Sequence, residues 1–221
     1  MKKTITIIVI VILAVGFGYF LFTISPEQPN NGSNNLDLGD VPQISEPREI
    51  DSSDHVFGNP EAKNTLIVYE DFQCPACAAF EPTLKLLPDI LEDTKLVFRH
   101  LPLTTIHNNA VISAFSTEAA AEQGKFWEYV SLLYERQSDW SNESYPIEQF
   151  VEIASQVGVA DLEKFRTDTE AAINQEKVAA DLTEAIGFGL TGTPSLVFNG
   201  NQLQLGSVDQ IKQQAEQFYI Q

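Results

Sequence analysis

LIVYEDFQCPAC, residues Leu66 to Cys77, holds the only two cysteines among 221 residues. Leu66-Ile67-Val68-Tyr69 is a short β-prone run, and the stretch from Pro75 to about Glu92 has helical character. Pro82 and Pro88 are expected to bend or divide that helix. A strand therefore runs through a short loop into a helix, and Cys74 stands where the helix begins.

A C-x-x-C pair can be a cross-link, half of a metal site or a reagent. As a cross-link it closes a very small loop and removes little entropy from the unfolded chain. As a metal site it supplies two ligands where zinc takes four, and His55, His100 and His107 do not complete a set by their spacing. The third reading fits the local structure. At a helix start, free N–H groups and the helix dipole favour a thiolate on Cys74. Cys77 lies one turn on, facing the same side, deeper and shielded from solvent. An outer sulfur that meets another thiol, with an inner one that resolves the mixed disulfide, makes a reversible couple.

Working outward, Lys95-Leu96-Val97-Phe98-Arg99 and Ser195-Leu196-Val197-Phe198 read as two more strands. Asn199-Gly200 offers a tight turn from the latter into Gln202-Leu203-Gln204-Leu205. Between them, roughly Asn108 to Gly187, apolar stripes repeat at helical spacing and no strand stands out. Val111, Ala114, Phe115 and Ala119 form one stripe, and Phe126, Val130, Leu133 and Tyr134 another. Ile147, Phe150, Val151, Ala154 and Val157 form a third, and Val178, Leu182, Ala185 and Ile186 a fourth. Trp127 and Trp140 belong with this helix packing. Ile211, Ala215, Phe218 and Tyr219 close the chain as an amphipathic helix. The expected order is strand, helix, strand, large helical insert, hairpin, helix, an α/β domain.

Composition sets the outer bounds. With 43% hydrophobic and 20% charged residues the chain is globular, and its length suffices for a full core. The net charge of −18 repels phosphate backbones, which argues against nucleic acid as a partner. Residues 1–26 stand apart: after Lys2 and Lys3 no charge occurs until Glu27. At about 1.5 Å per residue, Ile5 to Ile24 spans about 30 Å, the thickness of a bilayer core. The two lysines mark the cytoplasmic side, so the remainder is expected outside the cell membrane on a single uncleaved anchor. A cleaved leader, the rival reading, has an apolar region of only about 7–15 residues. Residues 27–53, rich in Pro, Asn, Gly, Ser and acids, read as a flexible linker to a domain at 54–221.

Thr191-Gly192-Thr193-Pro194-Ser195 enters the third strand through a proline whose preceding bond can be cis or trans. EDFQCPAC after a strand, FRHLPL (Phe98 to Leu103), QGKFWE (Gln123 to Glu128) and TGTPSLVFNG (Thr191 to Gly200) occur in that order around the helical stretch. Over roughly His55 to Gln221 the chain resembles the DsbA-like branch of the thioredoxin superfamily. The resemblance implies a thioredoxin-like fold with a helical insert at roughly 106–188 and a cis bond before Pro194, beside the cysteines. It implies that Cys74 and Cys77 are the catalytic pair and that Thr193 and Pro194 dock substrate. It further implies a protein-disulfide oxidoreductase that needs no cofactor or metal. Its substrates would be the thiols of exported proteins, and a quinone-linked membrane partner would recharge it. A reductase or isomerase would use the same residues in the other direction, and a non-catalytic binding module is the rival of another class.

Two positions depart from the pattern. Many relatives carry an acid six residues before the first cysteine, where this chain has Val68. Some carry His just before the second cysteine, where this chain has Ala76. Both departures weaken the expected oxidising strength. Glu70 shares the strand face of Val68, two residues nearer the cysteines, and is expected to act as a proton relay from a more solvated position. His100 and His107 are expected to be structural.

Overall fold

The computed structural model describes residue 43, residues 45–172 and residues 174–220. The anchor read at 1–26 and most of the linker read at 27–53 lie outside the described residues. No helix among the described residues is long and apolar enough to cross a membrane.

A mixed five-stranded sheet runs in the order β1 (His55–Phe57), β3 (Thr94–His100), β2 (Asn64–Glu70), β4 (Ser195–Phe198) and β5 (Asn201–Leu203). β2 and β3 are parallel, with Leu66 opposite Leu96 and Glu70 opposite His100. The other pairings are antiparallel. β1 is the strand that sequence reading missed. At three residues it is too short for alternation to declare itself.

The run after the cysteines divides as its prolines suggested, although the break falls between them. α1 (Pro75–Leu84) retains Pro82 within its last turn. α2 (Leu87–Ile90) starts with Pro88 in its first turn, where a missing N–H costs no hydrogen bond. Between β3 and β4 stand α3 (Ala110–Ala121), α4 (Phe126–Glu135), α5 (Gln137–Trp140), α6 (Ile147–Gln156), α7 (Leu162–Glu170) and α8 (Gln175–Gly187). The stripes read from sequence fall on α3, α4, α6 and α8. Ile186 of the fourth is exposed, whereas Val178, Leu182 and Ala185 are buried. Asn199 and Gly200 both adopt positive φ, 46° and 81°, and close the β4–β5 hairpin as its sequence implied. α9 (Val208–Ala215) ends the fold, opened by a Ser207–Gln210 capping box, and Phe218 and Tyr219 lie beyond its end.

Strand alternation assigns two cores. Leu66, Val68, Leu96, Phe98, Leu196 and Phe198 face one side, where α1, α4, α6 and α9 cover them and both cysteines join the cluster. Ile67, Tyr69, Val97 and Val197 face the other side, against Leu182, Ala185 and Leu190. α3 is buried nearly all round, which its small residues permit. Its Ser113, Ser116 and Thr117 hydroxyls donate to carbonyls one turn back, so none is stranded.

Arg99 points to the second face and is fully buried. Its guanidinium donates to Asp54 (3.0 Å) and Glu184 (2.6 Å), and the Tyr69 hydroxyl also donates to Glu184. Arg48, within the stretch read as linker, joins the same network through Asp54 (2.9 Å) and Asp181 (2.6 Å). Truncating one partner of such a set leaves uncompensated charge in the core. Arg99→Leu is therefore expected to lower the unfolding free energy by about 3–5 kcal/mol. Denaturant titration reads this, and a loss below about 1 kcal/mol would mean that water screens the network.

Candidate active site

β2 ends at Glu70, and four residues later Cys74 is the N-cap of α1, with extended backbone and Pro75 opening the helix. The turn between them is built on Asp71, which is buried. Its carbonyl accepts the Cys74 N–H at 3.0 Å. Its carboxylate accepts the N–H groups of Gln73 (2.7 Å) and Leu103 (2.8 Å) and pairs with His107 Nδ1 at 2.7 Å. The insert fixes the turn from outside. Gln137 donates to the carbonyls of Phe72 (2.8 Å) and Cys74 (3.0 Å), and Gln73 accepts the Asn109 N–H at 2.6 Å.

The two sulfurs stand in different surroundings, as the helix-start reading required. Cys74 retains 8% of its surface and Cys77 retains none. Opposite them lies Thr193, whose carbonyl accepts from the Cys74 thiol at 3.5 Å and whose bond to Pro194 is cis. The largest influence on Cys74 is the Cys77 thiol, which donates to its sulfur. With help from the Cys77 and Ala76 N–H groups, and against the cost of burial, it brings Cys74 down to about 5, while the buried Thr193 hydroxyl has no hydrogen-bond partner. Cys77 moves the other way. Burial, then the hydrogen bond to Cys74, then the Glu70 charge push it far above the ordinary thiol range. The helix start was expected to act alone; the neighbouring thiol is the stronger influence.

Glu70 corrects a second expectation. It shares the face of Val68 as strand alternation requires, yet it is 1% exposed rather than solvated. The reason is α4, which lies over the end of β2 and lets the Tyr134 hydroxyl donate to Glu70 Oε2 at 3.2 Å. Glu70 Oε1 is buried without a partner. Burial foremost, with the charges of Glu81 and Cys74, pushes the Glu70 carboxyl up to about 8, against the Tyr134 hydrogen bond. Near neutral pH it is thus a protonated acid coupled to the two sulfurs, able to give a proton to a leaving thiolate and, once ionised, to accept one from a thiol.

His107 and His100 are both hydrogen-bonded, to Asp71 and Glu118 respectively. Tyr134, Gln137 and Asn109 were missed by sequence reading. They lie far along the chain and carry no spacing signal. Asp71 did carry one, as an Asx-type turn former directly before the cysteines. Among the described residues no group of three His, Cys, Asp or Glu side chains stands where it could hold a metal.

Two measurements follow from these environments. Thiolate absorbance of the reduced protein should titrate near pH 5 for one sulfur only, with the second silent to at least about pH 9. A midpoint in the ordinary thiol range would contradict the geometry. Glu70 has a raised folded-state pKa, so the folded chain holds its proton more tightly than the unfolded chain does. Its contribution is fully present below about 4.5 and is lost as pH rises through about 8. Glu70→Gln should therefore match the parent at pH 4 and exceed it by up to about 3 kcal/mol at pH 7, by chemical unfolding.

A thioredoxin family profile matches residues 51–217. The Na(+)/H(+) antiporter NhaA of Herminiimonas arsenicoxydans is 30% identical over 94% of this chain, which covers 31% of that protein. The chain thus spans less than a third of the length of the first curated relatives it matches. BdbD from Bacillus subtilis superposes with a TM-score of 0.68 at 19% identity, covering 80% of this chain and 97% of that one. The thiol-disulfide exchange protein alpha-DsbA2 from Wolbachia pipientis gives 0.64 at 17% identity, covering 76% and 89%. The family profile spans most of the chain, and the fold is DsbA-like down to the helices between β3 and β4: the chain belongs to the thioredoxin family.

Proposed function

We propose that this chain is an extracytoplasmic thiol:disulfide oxidoreductase that forms disulfide bonds in exported proteins through Cys74 and Cys77. The observation that carries the reading is the opposite character of the two sulfurs at the start of α1, one acidic and keeping an edge to solvent, the other fully buried and protonated. In the oxidised protein a substrate thiolate attacks Cys74 Sγ, the Cys74–Cys77 bond breaks, and Cys77 leaves with the electron pair. Glu70 supplies the proton that Cys77 takes up. A second substrate thiolate then attacks the substrate sulfur of the mixed disulfide, and Cys74 departs as a stable thiolate. Thr193 and Pro194 form the edge on which the substrate backbone docks.

The depressed Cys74 favours oxidation over reduction or isomerisation, because a stable thiolate is a good leaving group. A potential of roughly −150 to −200 mV against glutathione is expected on that basis, and a value near −270 mV would assign the chain to reduction. The apolar run after Lys2 and Lys3 supports a single membrane anchor with the catalytic domain outside, within reach of a quinone-linked partner that recharges the pair.

Trapping tests the division of labour. Cys77→Ser should accumulate substrates bound covalently through Cys74, and Cys74→Ser should trap almost none, as non-reducing gels read. Equal trapping by both variants would reverse the assignment. No exchange with any dithiol would favour a binding module instead.

A further inference from the structure

Glu70 is enclosed, yet the exchange proposed above requires it to give and regain a proton in every cycle. The side chain opposite it on β3 is His100. β2 and β3 are parallel and pair Glu70 with His100, so both side chains leave the same face, about 4.8 Å apart at the backbone. His100 is as buried as Glu70. Each carries one buried polar atom without a partner, Glu70 Oε1 and His100 Nδ1.

The other side of His100 leads outward. Its Nε2 lies 2.7 Å from Glu118 Oε1, and the same oxygen lies 2.7 Å from His55 Nε2. One carboxylate oxygen between two imidazoles accepts from both, which puts a hydrogen on each Nε2 and leaves Nδ1 of a neutral His100 as a bare acceptor. His55 is stacked on Phe126 and partly exposed, and with Glu118 it lines a cavity of about 480 Å³ that opens to solvent. Lys177, Glu122 and Glu128 also line this cavity. The charged and titratable groups around His100 are Glu118 on α3, His55 on β1, Glu70 on β2 with Tyr134 of α4 behind it, and Asp181 on α8. Asp181 accepts the His100 backbone N–H at 3.1 Å. The rings of Phe72 and Phe98 close the remaining sides.

We propose that His100 stores the proton that the buried Glu70 carboxyl exchanges with Cys77, with Glu118 holding the imidazole in the tautomer that aims Nδ1 inward. The proposal rests on the dithiol exchange described above. When Cys77 leaves and takes the Glu70 proton, the Glu70 carboxylate regains one from Nδ1–H of a His100 imidazolium. One water shared by Glu70 Oε1 and His100 Nδ1 passes it, since two polar partners suffice to seat a water. His100 is left neutral with its Nε2–H still on Glu118, and it is recharged at Nδ1 when the pair is re-oxidised and Cys77 returns its proton through Glu70. No electron passes through this chain of groups.

Single-turnover reaction of the reduced full chain with oxidised glutathione separates two steps. Cys74 first attacks the reagent in a bimolecular step, and Cys77 then resolves the mixed disulfide in a unimolecular step that requires Cys77 to lose its proton. His100→Gln retains an N–H donor for Glu118 but cannot carry a proton. It is expected to slow the second step about 10- to 100-fold at pH 6–7, to make that step rise with hydroxide, and to leave the first step unchanged. Adding His100→Gln to Glu70→Gln should cause no further slowing, because both act on one route. Should His100→Gln not fold, Glu118→Gln, which keeps an acceptor for both imidazoles but removes the charge, is expected to slow the second step several-fold. Unchanged resolution at every pH would overturn the proposal, as would equal slowing of both steps or additive slowing in the double variant. Absence of any mixed disulfide in the parent chain would instead overturn the exchange reading itself.

Discussion

Asp71 is the constraint on which the site depends. A strand buried on both faces must stop, turn and become a helix within four residues, and each N–H exposed by the turn needs an acceptor. The Asp71 carbonyl takes the N–H of Cys74, and its carboxylate takes those of Gln73 and Leu103 while pairing with His107. One buried side chain therefore joins the end of β2, the start of α1 and the loop after β3. The Cys74 sulfur is held at the helix start because the residue three before it is fixed from three directions.

The insert contributes enclosure as well as volume. α4 brings Tyr134 over Glu70, and Gln137 at the start of α5 holds the carbonyls on either side of the turn. Removing water from Glu70 and Cys77 raises both, while Cys74 retains an edge to solvent and gathers donors. A difference of one helical turn in depth thus separates two chemically identical thiols. The opposite face of the sheet is held differently, by Arg99 between Asp54 and Glu184. Because residues alternate along β3, Arg99 and His100 serve the two faces from adjacent positions. The register that buries an ion pair behind the sheet also sets an imidazole beside Glu70 in front of it.

Much of this was legible in the residues themselves. Local pattern gave β2, β3, β4, the hairpin at Asn199-Gly200, the helices α3, α4, α6 and α8 of the insert and the break near Pro82 and Pro88, because each rests on periodicity or on the fixed geometry of proline and glycine. β1 was not legible: three residues hold no period, and pairing with β3 alone makes them a strand. The cysteines and their helix-start setting were legible because strand, turn and helix are contiguous in sequence.

Depth and partnership were decided only by the tertiary structure. Alternation placed Glu70 on the face of Val68, but whether that face met water depended on α4, some sixty residues later in the chain. His100 looked like an ordinary structural histidine, and its place opposite Glu70 follows from a parallel register that no local pattern encodes. The sequence by itself determined which elements form and which side chains share a face, because those follow from backbone geometry over a few residues. The tertiary structure decided which of those faces lose their water, because burial depends on what distant segments bring to cover them, and in this site desolvation sets the chemistry of Glu70 and Cys77.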